Sequence, residues 1–226
     1  MFDLSFGPDY EKLYETAIKI KTTEDTSMFY FRNLIRELGL YDDGRLVYFD
    51  ENKYIDIRSG IWQEPSQFGS LLSFLTNQKI NSYCEIGPFK YWSFVLICAA
   101  LTRNTENLKS VGIDNMYCCP LEIAQILKKL NVSHTHYTRD SNYIKDQIFE
   151  LVFIDADHSY QGVKTDWINV GQHSKICLFH DINDFNIKND PRDQDGPRRV
   201  FEELEGAKIT FTTNNPVMGI GVVFPQ

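Results

Sequence analysis

Positive charge is scarce in this chain. Its 226 residues carry 23 Lys and Arg against 31 Asp and Glu, a formal charge of −8 at neutral pH. This argues against duplex nucleic acid as the main ligand, because phosphate binding needs clustered cations and isolated pairs such as Arg198–Arg199 are too small a footprint. Long apolar runs are also missing, and the N-terminal MFDLSFGPDYEKLYE lacks a basic-then-apolar leader pattern. A soluble, cytoplasmic protein without a membrane partner is expected. The five cysteines (Cys84, Cys98, Cys118, Cys119 and Cys177) are odd in number and sit mostly in apolar segments, as reduced core thiols do. The adjacent pair Cys118–Cys119 lacks zinc-knuckle spacing, and there is no second pair to complete a site. No GxSxG elbow, GxxxxGK[ST] phosphate loop, HExxH, internal repeat or low-complexity tract occurs.

What is present is a regular alternation. Residues 9–39 recur at helical spacing through Leu13, Ala17 and Ile18, then Phe31, Leu34, Ile35 and Leu38, with Gly39 as a closing residue. RLVYFDENKYIDI, residues 45–57, alternates like a hairpin around Asp50–Asn52, and SQFGSLLSFLTNQ after Pro65 reads as a helix. From residue 81 short apolar strands alternate with helices. SYCEI, LKSVGID, VSHTHY, ELVFI and KICLF are the strands; Trp92–Leu101, PLEIAQILKKL, Gly162–Val170 and PRRVFEELEG are helices. AKITFTT and GIGVVF form a closing pair joined by a short loop, with the pairing expected to be antiparallel. This order predicts an α/β fold, a Rossmann-like doubly wound sheet that is mostly parallel. Residues 1–80 would form a helical and hairpin cap or lid, and residues 81–226 the binding domain.

Ligands of such sheets bind outside the carboxyl ends of the strands. Those ends are chemically coordinated here: Glu85-Ile86-Gly87, Asp114, Asp140-Ser141, Asp155 with Asp157 and His158, and His180-Asp181. Gly87 allows close backbone approach, and the helix that follows offers free N–H groups at its start. The loop continues Pro88, Phe89, Lys90, Tyr91 rather than GxGxxG, so a pyrophosphate cradle is not expected. Asp114 stands where an acid takes a ribose diol, or it is a turn or capping aspartate. Asp140-Ser141 admits turn chemistry equally. Asp155 and Asp181 end neighbouring strands and could converge on one hard divalent cation, with His180 or Asp157 as a further ligand. His158 could stand beside that ion as a general base. The alternative has Asp157 capping the next helix with His158 hydrogen-bonded beneath it. His134, His136 and His173 read as structural.

YCEIG, VGID, RDS, FELVFIDADHSYQGVKTDW and ICLFHDI, in that order, resemble class I S-adenosylmethionine-dependent methyltransferases. More narrowly they resemble the macrocin and mycinamicin-type sugar O-methyltransferases and the cephalosporin-hydroxylase-like group. GIWQEPSQ and GPRRVFEEL extend the likeness, which covers roughly residues 60–224. The resemblance implies a seven-stranded sheet with an antiparallel last strand, and methyl transfer from S-adenosylmethionine to a hydroxyl of a sugar or glycan. A phenolic or other natural-product hydroxyl is the alternative acceptor, and a non-catalytic binding module the alternative to an enzyme. The resemblance places Glu85, Gly87, Pro88 and Phe89 at the methionine and ribose of the cofactor. It places Asp114, Asn115 and Met116 at the adenosine, Asp140 and Ser141 at the adenine, and Ala156 beside them. Asp155, His180 and Asp181 become ligands of a divalent ion, Mg or Mn, and His158 with Asp155 carries catalysis. The implied acceptor is a small molecule or glycan, and the chain could form a homo-oligomer. It departs from the pattern at Tyr91, where relatives have glycine, and at Ile182, where catechol-type relatives have Asn. The polar segment 184–196 after the fifth strand is expected to be a mobile substrate loop.

Overall fold

The computed structural model describes residues 9–38, 63–183, 195–213 and 218–225. The expected hairpin at 45–57, the closing Gly39 and nearly all of segment 184–196 lie outside these residues. Among the described residues no helix is long and apolar enough to cross a membrane.

Before the sheet begins, three helices form: α1 (Tyr10–Thr22), α2 (Met28–Glu37) and α3 (Pro65–Leu75). Each starts on an acceptor side chain, Asp9, Ser27 or Glu64, that takes a free first-turn N–H, and Pro65 stands at the start of α3 where no N–H is needed. Strands and helices then alternate: β1 (Ser82–Ile86), α4 (Trp92–Leu101), β2 (Leu108–Ile113), α5 (Leu121–Lys129), β3 (Val132–Tyr137), β4 (Leu151–Ile154), α6 (Tyr160–Asn169), β5 (Ile176–His180), α7 (Gly196–Glu203), β6 (Ala207–Phe211) and β7 (Ile220–Phe224). The seven strands lie in the order β3-β2-β1-β4-β5-β7-β6. Pairing is parallel from β3 through β5, and β7 runs antiparallel between β5 and β6. The expected doubly wound sheet with an antiparallel last strand is therefore observed.

Side chains alternate between the two faces of the sheet, as the strand period requires. On β4, Leu151 and Phe153 point to one face, where α1 through α5 pack with Leu13, Ile20, Phe31, Phe68, Leu71 and Ile123. Val152 and Ile154 point to the other, under α6 and α7 with Val163, Val200 and Phe201. All residues of β4 and β5 are buried, because helices cover both sides of these inner parallel strands. The same logic explains α4, whose every residue is buried: a helix apolar all round has no face for water. The described part of the N-terminal region thus shares one core with the sheet.

The start of α3 is pinned to the far end of the chain. Gln67, buried in the first turn, accepts from the backbone N–H of Gly219 at 2.8 Å, just before β7. Gly219 in turn accepts from the N–H of Ile182, after β5. Removing the acceptor leaves a buried N–H without a partner. Gln67→Ala should therefore cost about 1–3 kcal/mol in urea unfolding, while a substitution at exposed Glu15 should cost nothing measurable.

Candidate active site

The ladder runs past the strand ends and brings their polar residues to one edge. Gly87 N–H donates to Ile113 O at 2.9 Å, Asp114 N–H to Tyr137 O at 3.1 Å and Asp155 N–H to Ile86 O at 2.9 Å. From β1 the chain winds outward through β2 and β3, and from β4 it winds the other way through β5. The gap between the β1 and β4 ends is the topological switch point, where α/β sheets take ligands. Gly87 sits there with φ +84, and a Cβ on it would lie 2.3 Å from Asp155 O and 2.7 Å from Ala156. The glycine is required for the two strand ends to approach, beyond any closeness to a ligand.

On the β4–β5 side stands a cluster of acids and imidazoles. His180 Nδ1 lies 3.0 Å from Asp155 Oδ1 and 3.1 Å from Asp181 Oδ2, and His158 Nε2 lies 3.2 Å from that same Asp181 oxygen. His180 and Asp181 are buried, with side-chain exposures of 4% and 6%, whereas His158 is 29% exposed. Burial opposes charge on His180, but the two carboxylates beside it outweigh this and hold its pKa well above the usual value. Burial likewise works against the Asp181 carboxylate, and the His180 imidazole reverses it, lowering its pKa. Asp181 adopts a left-handed backbone, φ 57, unusual outside glycine and of the kind concentrated at functional sites. Asp155, His158 and Asp181 offer ligand atoms that all lie within 4.8 Å of one another.

The turn after β4 holds His158 in place. Asp157 accepts from Ser159 N–H at 2.8 Å and Ser159 Oγ at 3.0 Å, and Ser159 accepts from Gly162 N–H at 3.0 Å to begin α6. Gly196 N–H, opening α7, donates to His158 O at 3.0 Å. Asp157 is thus spent on the turn, while the cap of α6, the alternative weighed for Asp157 from sequence, is made by Ser159. Gln63, just before α3, was not singled out by sequence. It is 2% exposed, and its Nε2 donates to Asp155 Oδ2 at 2.9 Å. A glutamine ahead of an acid and a proline carries no local signal of such a contact.

The implied cofactor residues divide by exposure. Glu85 is fully buried; it accepts from Tyr83 Oη and, at 2.8 Å, from Ser93 Oγ. Pro88 is buried too, and Ser141 turns inward, where its Oγ accepts from Asn169 at 3.0 Å. Gly87, Phe89, Asp114, Asn115, Met116, Asp140 and Ala156 all reach the surface along the strand-end edge. Asp114 gives Oδ1 to the N–H groups of Met116 and Tyr117, at 2.8 and 3.0 Å. Asp140 caps the short 3-10 turn Ser141–Ile144 through Asn142 N–H at 3.0 Å. Phe89 and Tyr91 take left-handed φ values of 43 and 68 where glycines would do so freely, and Phe89 stacks edge-on against Tyr117. Tyr91 dives beneath the loop, bonds His136 and fills the space over Gly112, where a Cβ would meet its hydroxyl at 2.3 Å. His134 packs against the same ring and bonds Ser110, with burial lowering its pKa to about 4. His134 and His136 therefore floor the loop.

Two features of this edge would suit the implied groups, although Glu85 has both oxygens taken within the core. The start of α4 has no side-chain cap, leaving its first-turn N–H groups available to a carboxylate, and the second oxygen of Asp114 is unspent on its own turn. In the acid cluster the buried Asp181 Oδ1 has no partner, an acceptor that a cation would satisfy.

No family model matches the chain, and no curated protein matches it. Solved structures do. The O-methyltransferase TomG from Streptomyces achromogenes, involved in tomaymycin synthesis and solved in complex with SAM, aligns with a TM-score of 0.52 at 15% identity, covering 100% of both chains. An O-methyltransferase from Bacillus cereus in complex with SAH aligns at 0.51 and 16% identity, covering 93% of this chain and 99% of that one. The likeness is one of fold: the chain has the Rossmann-like methyltransferase architecture.

Burial pushes the Glu85 carboxyl up to about 8, against 4.5 for a free glutamate. As pH rises the unfolded chain loses this proton first, so stability falls between pH 4.5 and about 8 and is level above. Glu85→Gln should remove that part of the decline. Urea unfolding from pH 4 to 9 will show it as a wild-type curve dropping relative to the variant's; parallel curves would refute the assignment.

Proposed function

We propose that the chain is an S-adenosylmethionine-dependent O-methyltransferase acting on a hydroxyl of a sugar or glycan, assisted by a divalent ion and by His158 as general base. The observation that carries the reading is the placement of partly exposed His158 against the Asp155–His180–Asp181 cluster, of which His180 and Asp181 are buried, across the switch point from Gly87 and Asp114. The fold and the cofactors named with its structural neighbours support it. The formal charge of −8 favours a small or glycan acceptor over nucleic acid.

S-adenosylmethionine supplies a methyl group already activated on a sulfonium, and Mg or Mn held by Asp155 and Asp181 supplies positive charge that lowers the acceptor's pKa. The chain must then position the partners and receive a proton. Asp114 would take the ribose hydroxyls, and the uncapped start of α4 the methionine carboxylate. A hydrogen on His158 Nε2, directed at Asp181, leaves Nδ1 with the free lone pair. The acceptor's proton goes to that Nδ1, and the Asp181 carboxylate stabilises the resulting imidazolium. His180 keeps both carboxylates aimed at the edge while remaining out of solvent.

A second reading keeps the enzyme and changes the acceptor to a phenolic or other natural-product hydroxyl, in line with the tomaymycin-synthesis protein among the fold neighbours. Turnover assays with nucleotide sugars and glycans against a phenol panel separate the two. Calorimetry should show S-adenosylhomocysteine binding; its absence would leave only a binding module on this fold. With the true acceptor, His158→Ala should lower kcat by about 10²–10⁴-fold while S-adenosylhomocysteine affinity stays as in the wild type. Turnover near wild type would remove His158 from the reaction.

A further inference from the structure

Gln63 arrives at the acid cluster from outside the sheet, one residue ahead of the cap of α3. Burying a carboxamide this thoroughly is costly unless both its ends are satisfied. Its nitrogen is satisfied by Asp155 Oδ2 at 2.9 Å, but its Oε1 is buried with no partner. Asp181 Oδ1, in the same cluster, is a second buried acceptor without a partner. Two orphaned acceptors beside carboxylates call for a cation or a donor; His180 Nε2 in the same cluster is likewise buried without a partner. Both acceptors are hard oxygens, the ligand type that Mg and Mn prefer. The position of Gln63 is also rigid. Glu64 caps the helix by accepting from Gln67 N–H at 2.7 Å, and Gln67 is bonded to Gly219. A side chain fixed at such a site loses little freedom when it ligates.

We infer that Gln63 is an oxygen ligand of the divalent-ion site, joining Asp155 and Asp181 through its carboxamide oxygen. This rests on the ion assigned above and adds a donor from a separate part of the chain. It also frees His158: with three oxygens from Gln63, Asp155 and Asp181 available, the imidazole need not ligate and can serve as the base. Ion binding would then tie the segment before α3 to the ends of β4 and β5.

Mn²⁺ binding to the full chain, followed by titration calorimetry and by the electron paramagnetic signal of free Mn²⁺, tests this without any acceptor. Gln63→Ala should weaken Mn²⁺ affinity by about 10–100-fold, and Gln63→Glu, which keeps an oxygen at that place and adds charge, should restore it to wild type or tighter. If the amide merely held Asp155 by donation, Glu would repel Asp155 and fail to rescue, and that result overturns the ligand role. Wild-type affinity in Gln63→Ala overturns it as well. No Mn²⁺ binding by the wild type overturns both this inference and the ion itself, whereas S-adenosylhomocysteine calorimetry on the same sample reports on the methyltransferase reading alone. Thermal melts of each variant without Mn²⁺ keep loss of folding separate from loss of the site.

Discussion

One imidazole nitrogen organises the acid cluster at the strand-end edge. Asp155 and Asp181 end adjacent parallel strands, and bare carboxylates so placed repel each other. His180 Nδ1 stands between them at 3.0 and 3.1 Å, and this shared contact offsets their repulsion. His180 is the last residue of β5, so the strand that carries one acid also carries the group that reconciles it with the other. The alignment of neighbouring strand ends by parallel pairing does the rest. The cluster exists because the sheet is parallel at this point and because its inner strands are dry on both faces.

A second layer of contacts keeps that edge rigid. Gln67 joins α3 to the backbone ahead of β7, and Gly196 joins α7 to the carbonyl of His158. Ser159 and Asp157 fix the turn between β4 and α6. Each of these bonds is made by a residue that carries no charge into the site, apart from Asp157. Positioning of reacting groups gains more from such supports than from extra charges, since small displacements of a base or an acceptor are costly in rate.

The fold was legible in the sequence because its signals are periodic. VSHTHY and Trp92–Leu101 occupy the limits read for them, and the acids read at strand ends stand along one edge of the sheet. The division of FIDADHSYQG was legible too: Asp155 belongs to the cluster and Asp157 to the turn. What escaped was information held in space rather than along the chain. Tyr91 reads as a bulky departure from a glycine loop, yet its ring leaves the loop and packs over Gly112, so the departure builds the floor beneath the edge. Glu85 reads as facing a ligand, but Tyr83 and Ser93 take both its oxygens within the core. Gln63 lies within the GIWQEPSQ likeness but gave no sign of its contact, because its partner Asp155 is remote in sequence and a lone glutamine has no periodicity.

The close approach at Gly87 has a consequence for how the molecule comes into being. Gly87 meets Asp155 and Ala156 only when β1 has paired with β4, and two further strands with their helices are made in between. Such non-local parallel pairing is slow, since the intervening chain must be closed before the contact rewards it. A nascent chain that has emerged only as far as β3 already contains Gly87 and Asp114, yet it lacks the wall against which the first turn is set. The two halves of the edge are therefore joined by the docking of β4 into the centre of the sheet, onto which β5 then pairs.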